Sequence, residues 1–300
     1  MTLLFDVVVP ILVIFIMTIV GLDLRFEDFR RIRQYPTILP GTIIGQWLAA
    51  MLVAGFLGRW LQLPHAVAGG ALLVAAAPVA TLSNYYTQLA RGHLALAVTT
   101  TAISSVLAVV ATPLVAAVGF RLFLGQSSAF DLPIAKVMQR TVVGLLLPLC
   151  IGMFIRHRAE QWATRWRRLL QALGLVAVVA VLGFVVVSQF EEIRDQFWVF
   201  LVASSLFTLA TLAIGMVAVP LMTRWEPDRW SLLWGFPARN VAIATLIATA
   251  AIGQIAMASF VAVLFATQVL LLVPLALWHG NAARASGRAA KKQRDERGPS

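Results

Sequence analysis

The sequence predicts an all-α polytopic membrane protein with about nine transmembrane helices, arranged as an inverted repeat that contains two discontinuous helices. The first observation behind this prediction is the composition. Of the 300 residues, 60% are hydrophobic and 12% are charged, whereas a soluble domain has roughly 45–50% and about 25%. A water-soluble globular protein is therefore excluded. The other two observations are nine long apolar runs and the presence of proline beside polar residues inside two of them.

The nine apolar runs account for most of the chain. A helix that crosses a bilayer needs roughly 20 apolar residues, so nine helices use about 180 residues and leave little for a soluble domain. The first run lacks a basic segment and a small-residue cleavage pattern, which favours a retained helix over a signal peptide. The predicted spans are residues 3–22, 37–57, 66–90, 94–118, 134–155, 169–188, 197–222, 230–253 and 256–278.

These spans define a membrane domain, residues 1–280, and a tail, residues 281–300. The membrane domain has a first half, residues 1–118, and a second half, residues 134–278. The tail is basic and rich in alanine and glycine, and we expect it to be disordered and cytoplasmic.

The basic residues divide unequally between the two sides of the membrane. If the N-terminus is outside, eighteen of the 24 lysines and arginines lie inside, five lie outside, and Arg239 lies within a span. This excess predicts an outer N-terminus and a cytoplasmic C-terminus, and we expect the plasma (inner) membrane. The basic residues form no face or run interleaved with aromatic residues, so a nucleic-acid partner is not expected. Six tryptophans, mostly near predicted span ends, are assigned to the membrane interface: Trp47, Trp60, Trp198, Trp225, Trp230 and Trp278.

Two spans contain a proline followed by polar residues. In the third span Pro78 precedes Ser83 and Asn84, and in the eighth span Pro237 precedes Arg239 and Asn240. Because proline removes a backbone donor and clashes with the preceding turn, both helices are predicted to break. Spans that are five apart run in opposite directions, which indicates an inverted repeat. Broken helices in corresponding halves indicate the midplane site of a transporter.

Arg239 is the one basic residue predicted inside the membrane, and none of the thirteen carboxylates lies at mid-membrane. A charge there costs at least ~2.5–3.5 kcal/mol on insertion scales, so it should face protein, water or a ligand. We expect it to provide the counter-charge for an anionic substrate, assisted by the N-termini of the half-helices. The alternative is that its guanidinium binds the carbonyl groups that the helix break frees.

Other polar residues follow the same segments. Asn84 is well placed after Pro78 to cap freed backbone or to bind a ligand. Gln46 in the second span and Gln268 in the last span have two open interpretations: each either forms an interhelical hydrogen bond or belongs to the site.

The sequence does not support an enzymatic function. No pair of nucleophile and base is visible, and the four histidines fall at span ends or in loops, where we interpret them as solvated. Cys150 is the only cysteine, so a disulfide or a thiolate metal site within this chain is not expected. We therefore predict no catalytic activity, no catalytic residue, no metal site and no organic cofactor.

Three segments of the sequence resemble those of a known family. They are Ala77 to Pro113, APVATLSNYYTQLARGHLALAVTTTAISSVLAVVATP, Ile19 to Phe29, IVGLDLRFEDF, and Gly235 to Ala248, GFPARNVAIATLIA. In that order they are similar to the first crossover region, the first loop and the second crossover of the bile acid:sodium symporter family, within the bile/arsenite/riboflavin transporter superfamily. The resemblance implies a panel domain, a core domain with two crossing broken helices, sodium ions behind the crossing, and an organic anion in the cleft between the domains.

The resemblance also implies positions for the cations. Ser83, Asn84 and Thr101 would belong to one sodium site, and Gln46 would belong to the other.

The chain departs from the family at positions that matter for these sites. Gly235 and Arg239 stand where the family usually has a glutamate and a glutamine, and Ala97 replaces a serine, whereas Asn240 is retained. A guanidinium repels a cation by several kcal/mol at ~4 Å even at an effective dielectric constant near 20. We therefore expect Arg239 to take the place of the cation, which leaves uniport, exchange and proton coupling open.

The sequence as a whole predicts a secondary transporter that moves an organic anion, either bile-acid-like or a small carboxylate, by alternating access across a lipid bilayer. The predicted substrate-binding residues are Arg239, Asn240, Asn84 and Gln268. The alternative is a membrane scaffold or sensor that keeps the fold without transport. The sequence does not determine the substrate, the coupling ion, the direction of transport or the oligomeric state.

Overall fold

The computed structural model describes residues 7–124 and 134–296, and within these ranges the chain is helical with short connections. The all-α prediction is confirmed for this part of the chain. The helices of the first half are α1 (Val9–Asp23), α2 (Phe26–Arg30), α3 (Ile38–Trp60), α4 (His65–Ala76), α5 (Leu82–Leu89) and α6 (Leu94–Gly119). Those of the second half are α7 (Ile134–Thr141), α8 (Leu147–Arg158), α9 (Glu160–Ser188), α10 (Phe190–Asp195), α11 (Phe197–Met222), α12 (Glu226–Leu233), α13 (Val241–Leu246) and α14 (Ile255–Glu296).

Three wider helical turns of the π type extend or join these helices. They follow α6 at Phe120–Leu124, connect α7 to α8 at Val142–Leu146, and follow α13 at Ile247–Ile252. A 3-10 turn at Arg31–Gln34 follows α2.

Among the described residues, six helical segments are long and apolar enough to cross a membrane: Ile38–Trp60, Leu94–Leu124, Ile134–Arg158, Glu160–Ser188, Phe197–Met222 and Ile255–Ala285. Three shorter apolar helices accompany them, at Val9–Asp23, His65–Ala76 and Val241–Ile252. A chain with this many apolar helices is an integral membrane protein.

Two helix ends differ most from the prediction. Helix α9 begins at Glu160, nine residues before the predicted start of its span, because its first turns carry arginines that interrupt the apolar pattern without interrupting the helix. Helix α14 continues as far as Glu296 and so includes most of the segment for which the sequence predicts a disordered tail. Residues 1–6, residues 125–133, which include Asp131, and residues 297–300 lie outside the described residues.

The helices pack in two groups. In the α1 group, which comprises α1, α8 and α9, helix α1 lies along both of the others. Gly21 and Gly152 allow α1 and α8 to approach until their backbones touch, since a Cβ atom at either glycine would overlap the other helix. In the α4 group, α4 packs against α3 and α14, and α11 packs against α3 and α14.

The two predicted helix breaks are present, and they cross. The chain leaves α4 at Ala77, whose backbone is extended, as expected for a residue before proline. The segment between α4 and α5 meets the segment between α12 and α13 in an antiparallel bridge of Val79 with Arg239. The amide of Ala80 donates to the carbonyl of Ala238 at 2.9 Å, and the amide of Asn240 donates to the carbonyl of Pro78 at 2.8 Å.

Candidate functional site

The break after α4 leaves carbonyl groups without their usual partners. In a continuous helix the amides of Val79 and Ala80 would donate to the carbonyls of Ala75 and Ala76. Instead, the amide of Val79 donates to a hydroxyl of α6 at 3.0 Å, and the amide of Ala80 donates to the carbonyl of Ala238. The C-terminal carbonyls of α4 therefore need donors from elsewhere, since an unpaired carbonyl in a dry interior is costly.

Arg239 and Trp47 supply these donors. Arg239 Nη2 donates to the carbonyls of Ala75 at 2.9 Å and Ala77 at 2.5 Å. Trp47 Nε1 donates to the carbonyl of Ala76 at 3.1 Å. The guanidinium carbon of Arg239 also lies 5.9 Å from the centroid of the Trp47 ring. A positive group at this point is stabilised by the negative end of the α4 dipole and by the ring face.

Only one of the three guanidinium nitrogens of Arg239 is used in this way. The side chain is 1% exposed, yet Nε and Nη1 have no hydrogen-bond partner in the part of the chain that the structure describes. Within residues 7–124 and 134–296, the hydrogen-bond partners of this charge are neutral carbonyls. The alternative expectation, that the guanidinium binds the freed carbonyls, is therefore met by Nη2 alone and leaves Nε and Nη1 as donors that a carboxylate ligand could accept from.

Asn240 and Gln268 have defined partners at the second break. Asn240 Oδ1 accepts from the amide of Ile243 at 3.2 Å and so caps the N-terminus of α13. Its Nδ2 lies 3.7 Å from Met17 Sδ on α1. Gln268 Nε2, on α14, donates to the carbonyl of Pro237 at 2.5 Å. Both side chains hold the broken backbone in place beside Arg239.

The residues for which the resemblance implies a first cation site lie on α5 and α6. Thr101 Oγ1 is 3.1 Å from Asn84 Oδ1 and 2.9 Å from the carbonyl of Ala97. Ser83 Oγ donates to the carbonyl of Ala80 at 2.8 Å. Asn84 and Thr101 are therefore paired, with the carbonyl oxygen of the amide engaged and its nitrogen left to donate.

Gln46, the residue implied for the second cation site, lies against the α12 end of the second break. Its Nε2 donates to the carbonyl of Leu232 at 3.2 Å, whereas Oε1 is buried without a partner. A Cβ atom on Gly235 would overlap this amide. The glycine therefore gives Gln46 the room that it occupies, and any side chain at residue 235 has to displace it.

Four residues at the crossing were not assigned to the site from the sequence. Trp47 is 7% exposed and bound to α4, so its assignment to the membrane interface is wrong: the freed carbonyl of Ala76 holds the indole inside. Ser104 is the α6 hydroxyl that accepts from the amide of Val79. Tyr86 and Trp234 are fully buried with 5.8 Å between ring centroids, and Tyr86 Oη and Trp234 Nε1 have no hydrogen-bond partner among the described residues. The position of Trp47 beside Gln46 in mid-span was the one available signal.

Two histidines are less solvated than predicted. His93 Nδ1 lies 2.9 Å from Asp228 Oδ1, and the carboxylate is buried. His279 stacks on Trp230 with 3.6 Å between ring centroids. The interpretation as solvated residues is wrong for both. The connection before α6 packs on the start of α12, as the hydrogen bond from the amide of His93 to the carbonyl of Pro227 shows. His279 Nδ1 lies 3.0 Å from the carbonyl of Ala90 at the end of α5.

Two interrupted helices that cross inside a bundle of apolar helices are typical of secondary transporters. The chain matches the sodium bile acid symporter family over residues 10–196, which is more than half of its length. It belongs to this family.

Curated relatives agree with this assignment. The chain is 33% identical over 162 residues to the uncharacterized sodium-dependent transporter YocS of Bacillus subtilis, covering 53% of this chain and 49% of that protein. It is 26% identical over 201 residues to a probable chloroplastic sodium/metabolite cotransporter, BASS2, of Oryza sativa, covering 67% of this chain and 46% of that protein. The chain spans about half the length of these relatives.

Proposed function

We propose that the protein is a secondary transporter of an organic anion, either bile-acid-like or a small carboxylate, in the plasma (inner) membrane. The observation that carries the proposal is Arg239, a buried cation at the crossing of two broken helices with two N–H nitrogens unpaired. An isolated buried charge is costly unless something pairs with it. A carboxylate that accepts from Nε or from Nη1 would pair with it through a charge-assisted hydrogen bond.

The proposed architecture has nine spans, with the N-terminus outside and the C-terminus in the cytoplasm. The six long helices provide six of them and α1 provides another. The two interrupted helices, α4 with α5 and α12 with α13, provide the remaining two. Residues 1–118 and 134–278 then form the two halves of an inverted repeat within a domain of residues 1–280, and the antiparallel crossing supports this relation.

The two packing groups support a division into a panel and a core. The panel would contain α1 and α7 to α9, and the core would contain α3 to α6 and α11 to α14. Contacts that join these bodies include Asn240 with Met17 and Gly144 with Leu246. Rocking of one body against the other would expose the crossing alternately to the two sides of the membrane.

Within this mechanism each predicted substrate residue has its own role. Arg239 supplies the counter-charge for the anion, and Asn84 offers an amide nitrogen from the first broken helix. Asn240 and Gln268 position the second broken helix, since their side chains cap α13 and hold the carbonyl of Pro237. The names of the relatives, sodium-dependent transporter and sodium/metabolite cotransporter, support transport rather than catalysis.

Uptake into proteoliposomes tests this proposal. The purified protein is reconstituted, and the uptake of a radiolabelled bile acid and of radiolabelled lactate is measured against concentration. We expect saturable uptake of at least one of them, and weaker binding in an Arg239→Gln variant. Arg59→Gln is the matched control, because Arg59 is an exposed arginine at the end of α3.

Two results would contradict the proposal. Unchanged affinity in Arg239→Gln would remove the counter-charge role of that residue. Saturable binding of an anion without uptake by the folded protein would support the alternative, a membrane sensor or scaffold.

A further inference from the structure

The family to which the chain belongs is named for sodium, so the fit of a sodium ion to the crossing can be tested on the residues present. A sodium ion is a hard cation that needs several oxygen ligands, and carbonyl groups freed by a helix break are suitable ones. The C-terminal end of α4 offers three such carbonyls, on Ala75, Ala76 and Ala77.

Each of these carbonyls already accepts a hydrogen bond from a side-chain donor. Arg239 donates to the carbonyls of Ala75 and Ala77, and Trp47 donates to the carbonyl of Ala76. The other break is satisfied in the same way, since Gln268 donates to the carbonyl of Pro237 and Gln46 donates to that of Leu232. A cation at the end of α4 would have to share these carbonyls with N–H donors, one of which carries a full positive charge.

The charge at the crossing also opposes a second cation. The guanidinium of Arg239 is fully buried, and the partners of its Nη2 are neutral. At about 4 Å, two positive charges repel by about 4 kcal/mol with an effective dielectric constant of 20. The residues at this crossing do not fit a sodium ion.

The remaining set of residues, Ser83, Asn84 and Thr101, has neutral oxygens only. The Ser83 hydroxyl donates to the carbonyl of Ala80, and the Thr101 hydroxyl donates to Asn84 Oδ1 and to the carbonyl of Ala97, so none of these groups carries a negative charge. These three residues supply no carboxylate that would neutralise a bound cation. The cation would also lie in the same protein interior as the positive charge of Arg239.

We propose that the guanidinium of Arg239 is a covalently attached substitute for a bound sodium ion at the C-terminus of α4. The protein then completes its crossing without Na⁺. The consequence for transport, that anion uptake is independent of Na⁺, rests on the proposed function, whereas the substitution itself concerns the protein without substrate.

The experiment measures thermal unfolding of the purified protein in detergent at constant ionic strength, with sodium chloride, potassium chloride or N-methyl-D-glucamine chloride. The unchanged protein should melt at the same temperature in all three salts. Arg239→Gln should melt lower in potassium and regain stability selectively in sodium, because the vacated carbonyls can then bind the ion. A tenfold excess of sodium over its Kd would raise the melting temperature by about 2–4 °C.

Two variants and one binding measurement keep the test decisive. Arg59→Gln, which removes an exposed arginine, should behave as the unchanged protein. Arg239→Lys keeps the charge and should remain insensitive to sodium. If Arg239→Gln does not fold, equilibrium binding of ²²Na⁺ to the unchanged protein decides, and no saturable binding is expected.

The outcomes separate this inference from the proposed function. Sodium-selective stabilisation or saturable ²²Na⁺ binding in the unchanged protein overturns the substitution, and so does the absence of a sodium effect in a folded Arg239→Gln. Uptake that is saturable but requires Na⁺ overturns the inference and leaves the transport proposal intact. A failure of uptake in every salt counts against the transport proposal and leaves the melting results valid.

Discussion

Arg239 illustrates how one residue can meet a structural and a chemical demand together. Proline at residue 78 breaks α4 and frees its last carbonyls, and the guanidinium satisfies two of them through a single nitrogen. The other two nitrogens stay unpaired in the protein interior. Because a buried charge without a counter-charge is costly, these two nitrogens are the basis of the proposed anion site.

Gly235 is a second single residue on which the crossing depends, because it leaves space for the Gln46 amide. We expect Gly235→Ala to lower stability by about 1–3 kcal/mol, because the added methyl group overlaps the Gln46 amide and forces it away from the carbonyl of Leu232. Thermal unfolding in detergent measures the change. Gly183→Ala is the matched control, since a Cβ atom there meets nothing within 4 Å, and it should be neutral or slightly stabilising. Equal melting of the two variants would contradict the contact with Gln46.

At the scale of elements, the two broken helices depend on each other. Neither interrupted segment can satisfy its own backbone, and each supplies one hydrogen-bond donor to the other through Ala80 and Asn240. The crossing is therefore one structural unit built from two distant parts of the chain, and a change in one break should be transmitted to the other.

A substitution of Asn240 tests whether its side chain stabilises the start of α13. Asn240→Ala removes the cap on the amide of Ile243, and we expect a loss of about 1 kcal/mol. Hydrogen exchange of the amides in Val241–Leu246 should become faster. Asn240→Asp keeps the acceptor oxygen and should retain the protection. Unchanged exchange in the alanine variant would show that the cap does not stabilise this helix.

At the scale of the whole molecule, the proposed mechanism requires the panel and the core to move relative to each other. Gly144 and Leu246 lie in contact across the two bodies. In a Cys150→Ser background, we expect Gly144→Cys with Leu246→Cys, joined by a short bifunctional thiol reagent, to abolish uptake in proteoliposomes. Cleavage of a reducible reagent should restore it.

A matched pair inside the proposed core is the control for this experiment. Ser204 Oγ and Thr267 Oγ1 lie 2.9 Å apart on α11 and α14. Cysteines at these two positions, joined by the same reagent, should leave uptake largely intact. If both pairs block uptake equally, rocking of one body against the other is not the transport motion.

Orientation in the membrane can be measured separately. In the Cys150→Ser background, a cysteine at residue 191, which is exposed on α10, should react with a membrane-impermeant maleimide in spheroplasts of a bacterial host. A cysteine at residue 281, on the other side of the proposed bilayer, should react only after permeabilisation. This result follows from the excess of basic residues predicted inside. The reverse labelling pattern would contradict the proposed topology.

The sequence by itself determined the membrane class, the helical segments and the two interruptions. Apolar run length, basic residues and proline are local properties, and in a bilayer a local run of apolar residues has few structural options besides a helix. Pro78, Pro237 and the isolated charge of Arg239 were visible for the same reason. The resemblance added the crossing and the family.

Only the tertiary structure decided which donors satisfy which carbonyls. From the sequence, Trp47 is expected at the membrane interface. In the structure its indole nitrogen donates to the carbonyl of Ala76, 29 residues later, at the break of α4. Arg239 contacts Ala75 and Ala77 over 164 and 162 residues of sequence. Hydrogen bonds between such distant groups depend on how the helices pack, and no periodicity or composition along the chain specifies that packing.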